Sequence, residues 1–439
     1  MSPPARIIIG FAVVITIGTA LLMLPAATTA PGGIGVIDAL FTTTSAFSVT
    51  GLVVLDTGQD FTLFGQLVIL ALIQIGGLGV MVFTMLLAML VARRTGLQLR
   101  QTVAAETKTE DFGGLRPMVL RILAFSAVTE AVVACLLSIR FATRYADTPG
   151  EGIYHGIFHA ISAFNNAGFA LRADSIMPYA GDPFISLPIC LAVIIGGMGF
   201  PVLTELAYRY RFPMRWSMTT RIVVCLTPIM LVAGTLFLLA QEWSNEATMG
   251  HLNGWQKLLA AFFQSTIART AGFNSIDIAE MHPVSWFGLD ILMFIGGGPA
   301  GTAGGVKLTT VAVLAAMTWA EISGRRTVVI FGRRVSRFVH RQATTVIVLA
   351  LTLIVSATMA IMLIDPHLGF DRVLFEVVSA FATVGLSTGI TGDLPPTAQC
   401  IIIFVMATGR IGPVMLASGL ALRRHREQHE LPKERPLIG

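Results

Sequence analysis

The sequence predicts an all-α polytopic membrane protein: four pseudo-repeats of helix, pore hairpin and helix, with eight transmembrane spans and four re-entrant loops around one central pore. Three observations carry this. The 439 residues are 54% hydrophobic and 13% charged, whereas soluble proteins carry about a quarter charged residues. One short motif recurs four times: Ser45-Ala-Phe-Ser-Val-Thr-Gly51, Ser162-Ala-Phe-Asn-Asn-Ala-Gly168, Thr266-Ile-Ala-Arg-Thr-Ala-Gly272 and Ser379-Ala-Phe-Ala-Thr-Val-Gly385. Phe41, Phe158, Phe262 and Phe375 each stand ten residues before the closing glycine. Third, basic residues alternate along the chain. The stretches 93–121, 209–221, 325–341 and 423–439 hold 21 of the 30 lysines and arginines, and the intervening hairpin regions hold few.

Each quarter supplies the same elements. In residues 1–95, helix 6–25 precedes hairpin helix 36–47 and span 63–92. Arg6, an apolar run and small residues at 25–30 resemble a signal peptide. The run is 18 residues long and leads the first repeat, so it is assigned as a span. Residues 116–212 contain 117–139, 153–164 and 184–209; residues 217–322 contain 219–241, 255–267 and a glycine-broken span 284–319. Residues 340–425 contain 342–364, 371–381 and 396–422, leaving a short tail, 426–439. Spans need ~20 apolar residues, so the hairpin helices are too short to cross and must dip in and return. The positive-inside rule puts both termini in the cytoplasm of a cell (inner) membrane protein. The net charge of +5 follows from this topology and implies no nucleic-acid binding.

Non-helical backbone at membrane depth is tolerated where it is buried in protein or lines a watery cavity. Four such strips aimed at one axis meet that condition together. Val49-Thr50-Gly51, Asn166-Ala167-Gly168, Thr270-Ala271-Gly272 and Thr383-Val384-Gly385 can each turn carbonyls toward a bare cation such as K⁺, replacing its hydration shell. The C-terminal end of each preceding helix favours a cation. No copy has the second glycine of a TVGYG filter, which predicts less sharp discrimination than in a potassium channel.

A second signature follows each hairpin: Gly76-Gly-Leu-Gly79, Gly196-Gly-Met-Gly199, Gly296-Gly-Gly298 and Gly409-Arg-Ile-Gly412. In the first two copies the glycines are assigned to helix packing. In the third, Gly296, Gly297, Gly298, Gly301, Gly304 and Gly305 surround Pro299. Interior glycine costs ~1 kcal/mol and proline about 3, so an unaided helix breaks there.

Four hairpins, the Ala268-Arg-Thr-Ala-Gly-Phe-Asn274 strip and the Gly296-Gly-Gly-Pro-Ala-Gly-Thr-Ala-Gly-Gly-Val-Lys307 loop together resemble the Trk/Ktr/HKT superfamily of potassium transporters, over nearly the whole chain. The early start of the first repeat resembles the KtrB-type pore-forming membrane subunit. The resemblance implies one selectivity filter per protomer, with K⁺ bound at the four strips. Glycine at all four filter positions goes with potassium. Na⁺ enters as a candidate activator, and no organic cofactor is implied. It also implies that 296–306 is an intramembrane gating loop, with Arg410 beside it. A cytosolic RCK-type nucleotide-binding regulatory subunit and a homodimer are the implied partners.

Arginine at mid-helix costs ~2.5–3.5 kcal/mol on insertion, so Arg410 is expected to face the bundle interior, holding the loop's carbonyls or neutralised by Glu205. Lys307 is expected to snorkel to the cytoplasmic surface. Arg269 is expected to point away from the axis toward Asp277 or Glu280, because a charge there would block cations. Cys135, Cys190, Cys225 and Cys400 lie in apolar runs as buried small hydrophobes, without metal-ligand spacing. His155 and His159 lack an evident third ligand and are assigned to the pore-helix surface. A Na⁺-coupled symporter on the same scaffold remains the alternative to a gated channel. An intramembrane enzyme would need a nucleophile or a motif such as H-E-x-x-H, and none is found.

Overall fold

A computed structural model describes residues 3–94 and 115–422. Residues 95–114 of the basic stretch 93–121 and the tail 426–439 lie outside the described residues. The first quarter contains α1 (Pro3–Leu22), α2 (Val36–Ser48) and α3 (Leu63–Arg94). The second contains α4 (Leu115–Arg144), α5 (Pro149–Asn165), α6 (Pro183–Met198) and α7 (Phe200–Arg209). Next come α8 (Met218–Glu242), α9 (Gly254–Ile267), α10 (Pro283–Phe294) and α11 (Leu308–Ile322). A short hairpin, β1 (Val329–Ile330) with β2 (Arg333–Arg334), precedes α12 (Arg337–Ile364), α13 (Phe370–Ala382) and α14 (Pro396–Leu422).

Local chemistry sets these boundaries. Pro149 and Pro183 open α5 and α6, where Thr148 and Asp182 accept backbone N–H groups at the N-cap. Asn253 and Gln256 form a capping box on α9. Phe331 and Gly332, at φ 49° and 76°, make the left-handed turn that a two-residue hairpin needs, so the fold is not wholly helical.

Two expected spans are broken. The segment expected at 184–209 bends by 99° between α6 and α7. Gly199 takes φ 92° at the break, and Pro201 cannot donate to a continuing helix. The segment expected at 284–319 becomes α10 and α11, separated by the glycine-rich loop.

Among the described residues three helices are long and apolar enough to cross a membrane: Pro117–Arg144, Met218–Glu242 and Arg337–Ile364. The bent α6–α7 pair would make a fourth. Large apolar side chains face outward along the helices, as at Val128, Leu236 and Val355, while the buried set includes Thr43, Ser45, Ser162, Asn165, Thr270 and Thr383. Water would disfavour that surface; lipid accepts it. Cys190 is buried, but Cys135, Cys225 and Cys400 lie on the exposed apolar face, contrary to expectation. Their helices turn those positions outward, and a thiol tolerates lipid contact.

Hairpin helices sit inside this shell. Gly152 and Gly156 bring α5 so close to α4 that a Cβ there would lie 2.5 and 2.1 Å from Ala142 and Ser138 atoms.

Candidate functional site

The four strips close into a ring. A Cβ built on Gly51 would lie 2.3 Å from the Ala167 carbonyl oxygen, and one on Gly168 would lie 2.8 Å from that of Ala271. One on Gly272 would meet the Val384 oxygen at 2.4 Å, and one on Gly385 would meet the Thr50 oxygen at 2.2 Å. Each glycine thus faces the carbonyl preceding the next repeat's glycine, in the cyclic order 51, 168, 272, 385. All four take positive φ, between 67° and 94°. Val49, Asn166, Thr270 and Thr383, which begin the strips, also have positive φ. Left-handed backbone costs such non-glycine residues about 1–3 kcal/mol each and persists only where the surroundings impose it.

Hydrogen bonds beneath the strips impose it. Val49, Asn166 and Thr383 are the C-caps of α2, α5 and α13, so those three helix ends point at the ring. The next residue's N–H reaches the serine carbonyl of each motif: Thr50 to Ser45, Ala167 to Ser162 and Val384 to Ser379, at 2.8–2.9 Å. The serine hydroxyls close the turn further, Ser45 Oγ donating to Leu52 O and Ser162 Oγ to Phe169 O. The third copy departs. Its Thr266 hydroxyl turns back to Phe262 O, and Ala271 N reaches Ile267 O. Phe41, Phe158 and Phe375 are fully buried behind their strips, and Phe262 is half-buried.

The second glycine signature packs against the hairpins. A Cβ on Gly76, Gly196 or Gly409 would strike the carbonyl of Phe47, Phe164 or Phe381 at about 2 Å. In each case that phenylalanine lies four residues before the ring glycine of the same repeat.

Loop 296–306 lies against the strips. It is anchored by Gly296 N to Val306 O at 2.9 Å, Gly298 N to Gly197 O at 2.8 Å and Thr302 N to Gly196 O at 3.2 Å. Gly304 abuts Thr383, where a Cβ would sit 2.0 Å from the threonine hydroxyl. Gly297 and Gly301 pack on the carbonyl of Gly197, and Gly305 takes φ 64°. Thr302 Oγ1 donates to Asn166 Oδ1 at 2.9 Å, and Asn166 Nδ2 donates to Thr270 Oγ1 at 3.4 Å. The Asn166 amide therefore links the loop to two strips. Neither Thr302 nor this amide role stands out in sequence, because a threonine among glycines has no periodicity to mark it.

Three cations meet the loop. Arg410 is buried and donates from Nη1 to Thr302 O at 2.5 Å and from Nη2 to Gly76 O at 3.3 Å. Glu205 instead accepts from Ser217 and Thr220, so it does not neutralise Arg410. Lys307 does not snorkel outward: its Nζ folds back onto Ala303 O. Arg269 is buried and reaches Gly296 O at 3.5 Å, not Asp277 or Glu280. Loop carbonyls left unpaired by the broken helix attract all three side chains.

His159 is buried rather than on a surface, stacked on His155 and packed by Phe141 and Phe273. At the N-cap of α6, Asp182 accepts from Arg140 at 2.6 Å and Tyr145 at 2.8 Å. Burial pushes its carboxyl up, but Arg140, Tyr145 and the Phe184 amide together hold it below the ordinary carboxylate value.

Such a helical bundle, apolar outside with a ring of backbone strips inside, is a polytopic membrane transporter fold. A family model described as "TrkH: Cation transport protein" matches residues 5–423, and the chain belongs to that family. It is 41% identical to the "Ktr system potassium uptake protein B" of Bacillus subtilis, over 96% of this chain and 93% of that one. The Vibrio alginolyticus protein of the same description is 39% identical, over 95% and 91%. "Potassium/sodium uptake protein NtpJ" of Enterococcus hirae is 32% identical, over 100% and 98%. Among solved structures, the potassium transporter TrkH from Vibrio parahaemolyticus superposes with a TM-score of 0.69 at 19% identity, covering 94% of this chain and 85% of that one.

Proposed function

We propose that this chain is the pore-forming subunit of a potassium uptake system, passing K⁺ through a filter of backbone carbonyls. The carrying observation is the closed cyclic contact of Gly51, Gly168, Gly272 and Gly385 with the neighbouring strips' carbonyls. Carbonyl rings replace a hydration shell, and glycine leaves the axis open. Strips 49–51, 166–168, 270–272 and 383–385 are its four walls. The four quarters, 1–95, 116–212, 217–322 and 340–425, act as eight spans and four re-entrant hairpins, with the short apolar helices spanning alongside the long ones. The alternating basic stretches support cytoplasmic termini.

Gating falls to loop 296–306 with Arg410. Arg410 and Lys307 both grip loop carbonyls, which supports a latch whose release moves the loop off the path. A homodimer and a cytosolic nucleotide-binding RCK-type ring are the partners we assign. The relatives are described as uptake and transport proteins, and the intramembrane-enzyme alternative falls with them.

Uptake of Rb⁺ or K⁺ in cells lacking their own potassium transporters, with Gly272→Ser beside the wild type, tests this function. Reduced uptake with weakened K⁺ over Na⁺ preference is expected; unchanged uptake and selectivity would overturn the filter assignment. The name of the Enterococcus hirae relative motivates a second reading, Na⁺-coupled transport or Na⁺ activation. Uptake that requires Na⁺ in stoichiometric proportion would favour coupling over a gated channel.

A further inference from the structure

Glu130 lies at the middle of α4, is buried, and takes no part in the permeation path described above. A carboxyl group at such depth is costly unless something uses it. Its oxygens accept from Gln74 Nε2 at 3.0 and 3.1 Å, Ser126 Oγ at 2.9 Å and Asn165 Nδ2 at 3.3 Å. Asn165 Nδ2 also donates to Gln74 Oε1 at 2.7 Å and Ile161 O at 2.9 Å. The network joins three elements: the second helix of the first repeat, the leading helix of the second, and the last residue of α5. Asn165 is followed directly by Asn166, the first residue of the second strip.

Position makes this more than packing. Asn165 stands three residues before its ring glycine, and Ser48, Arg269 and Ala382 stand at the same offset in the other quarters. Ser48 bonds locally to Thr50, and Arg269 reaches a backbone carbonyl. Among these four positions, only Asn165 is held by a buried carboxyl. Gly77 closes the back of the site: a Cβ there would lie 2.0 Å from Asn165 Oδ1. That oxygen is itself buried without a hydrogen-bond partner, so the amide is held by its NH₂ side alone.

We propose that Glu130, acting through Gln74 and Asn165, is a positioning residue that fixes the second wall of the ring and thereby sets its cation selectivity. The proposal rests on the filter reading of the strips. Carbonyls discriminate between cations only when held at one spacing, and the bonds from this carboxyl group stiffen a strip whose first residue already sits in strained, left-handed backbone.

The test uses the full chain in cells lacking their own potassium transporters. Rb⁺ and Na⁺ uptake are measured in parallel and normalised to membrane abundance. Glu130→Gln keeps the shape but cannot accept from all of these donors. It should lower the Rb⁺ over Na⁺ uptake ratio roughly fivefold, the scale of losing one ordinary hydrogen bond. Gln74→Met removes the same link without touching the carboxyl, and should shift the ratio in the same direction. If Glu130→Gln does not reach the membrane, Gln74→Met decides the question. A purely structural anchor would lower both fluxes in proportion, and an unchanged ratio would overturn the proposal. Gly272→Ser run alongside separates the two failures. If it shifts the ratio while the network variants do not, only the role of Glu130 is lost. If it too leaves the ratio unchanged, the filter reading fails.

Discussion

Replacing the four ring glycines one at a time by alanine produces a graded series, because the available space differs at each. The added Cβ would lie 2.8 Å from a carbonyl oxygen at Gly168, 2.4 Å at Gly272, 2.3 Å at Gly51 and 2.2 Å at Gly385. Ordinary contact begins near 3.4 Å, so the facing carbonyl must retreat by about 0.6 Å for Gly168 and about 1.2 Å for Gly385. All four also sit at positive φ, where a Cβ adds ~1–2 kcal/mol. A displaced carbonyl that weakens K⁺ binding by ~1–2 kcal/mol more than Na⁺ binding lowers the K⁺ over Na⁺ preference roughly 5- to 30-fold. Competition of Na⁺ with ⁸⁶Rb⁺ uptake measures this directly. Gly168→Ala should be mildest, and Gly385→Ala with Gly51→Ala most severe. A flat series, or one with Gly168→Ala worst, would refute the ring geometry even if every variant lost activity.

Arg410→Ala removes the bond to Thr302 O, a charge-assisted contact of ~1.5–3 kcal/mol, and should raise flux about tenfold or more; deleting part of 296–306 should act in the same direction. Unaltered or abolished flux with normal expression would count against a gating latch. Thr302→Val removes the hydroxyl that meets Asn166 while leaving the carbonyl that Arg410 holds, so a neutral bond of about 1 kcal/mol is lost. Its flux increase, near fivefold, should combine less than additively with that of Asn166→Asp in a double-mutant cycle. At the α6 N-cap, the folded-state Asp182 carboxyl lies below its ordinary value of 3.8. Its contribution to stability is present above that value and is lost as pH falls through the lower folded value. Thermal unfolding of the purified protein from pH 6 downward should show this acid loss, and Asp182→Asn should flatten it.

Much of the architecture was legible because it depends on short-range order along the chain. The repeated motif located every hairpin helix to within a few residues, since α2, α5, α9 and α13 each end at its strip. Apolar length located the long helices α4, α8 and α12, and the clustered glycines with Pro299 located the helix break between α10 and α11. Gly199 was the exception: one glycine in a signature shared by four quarters does not announce a 99° bend. At the bend a Cβ on Gly199 would lie 2.2 Å from Pro299 O of the third quarter, so the close approach there requires glycine.

Sequence spacing alone thus determined that there are four strips, what each is made of and that one quarter carries a glycine-rich break in its second helix. Burial of strips and helices alike follows from hydropathy and backbone chemistry that every residue brings with it. Tertiary structure alone decided which carbonyl faces which glycine, that Arg269, Lys307 and Arg410 all turn to loop carbonyls, and that Glu130 stands behind Asn165. Those pairings join residues from 4 positions apart, Lys307 with Ala303, to 335 apart, Gly385 with Thr50. At such separations the partner is chosen by the nearest unsatisfied group in a low-dielectric interior, where an unpaired polar atom is most costly.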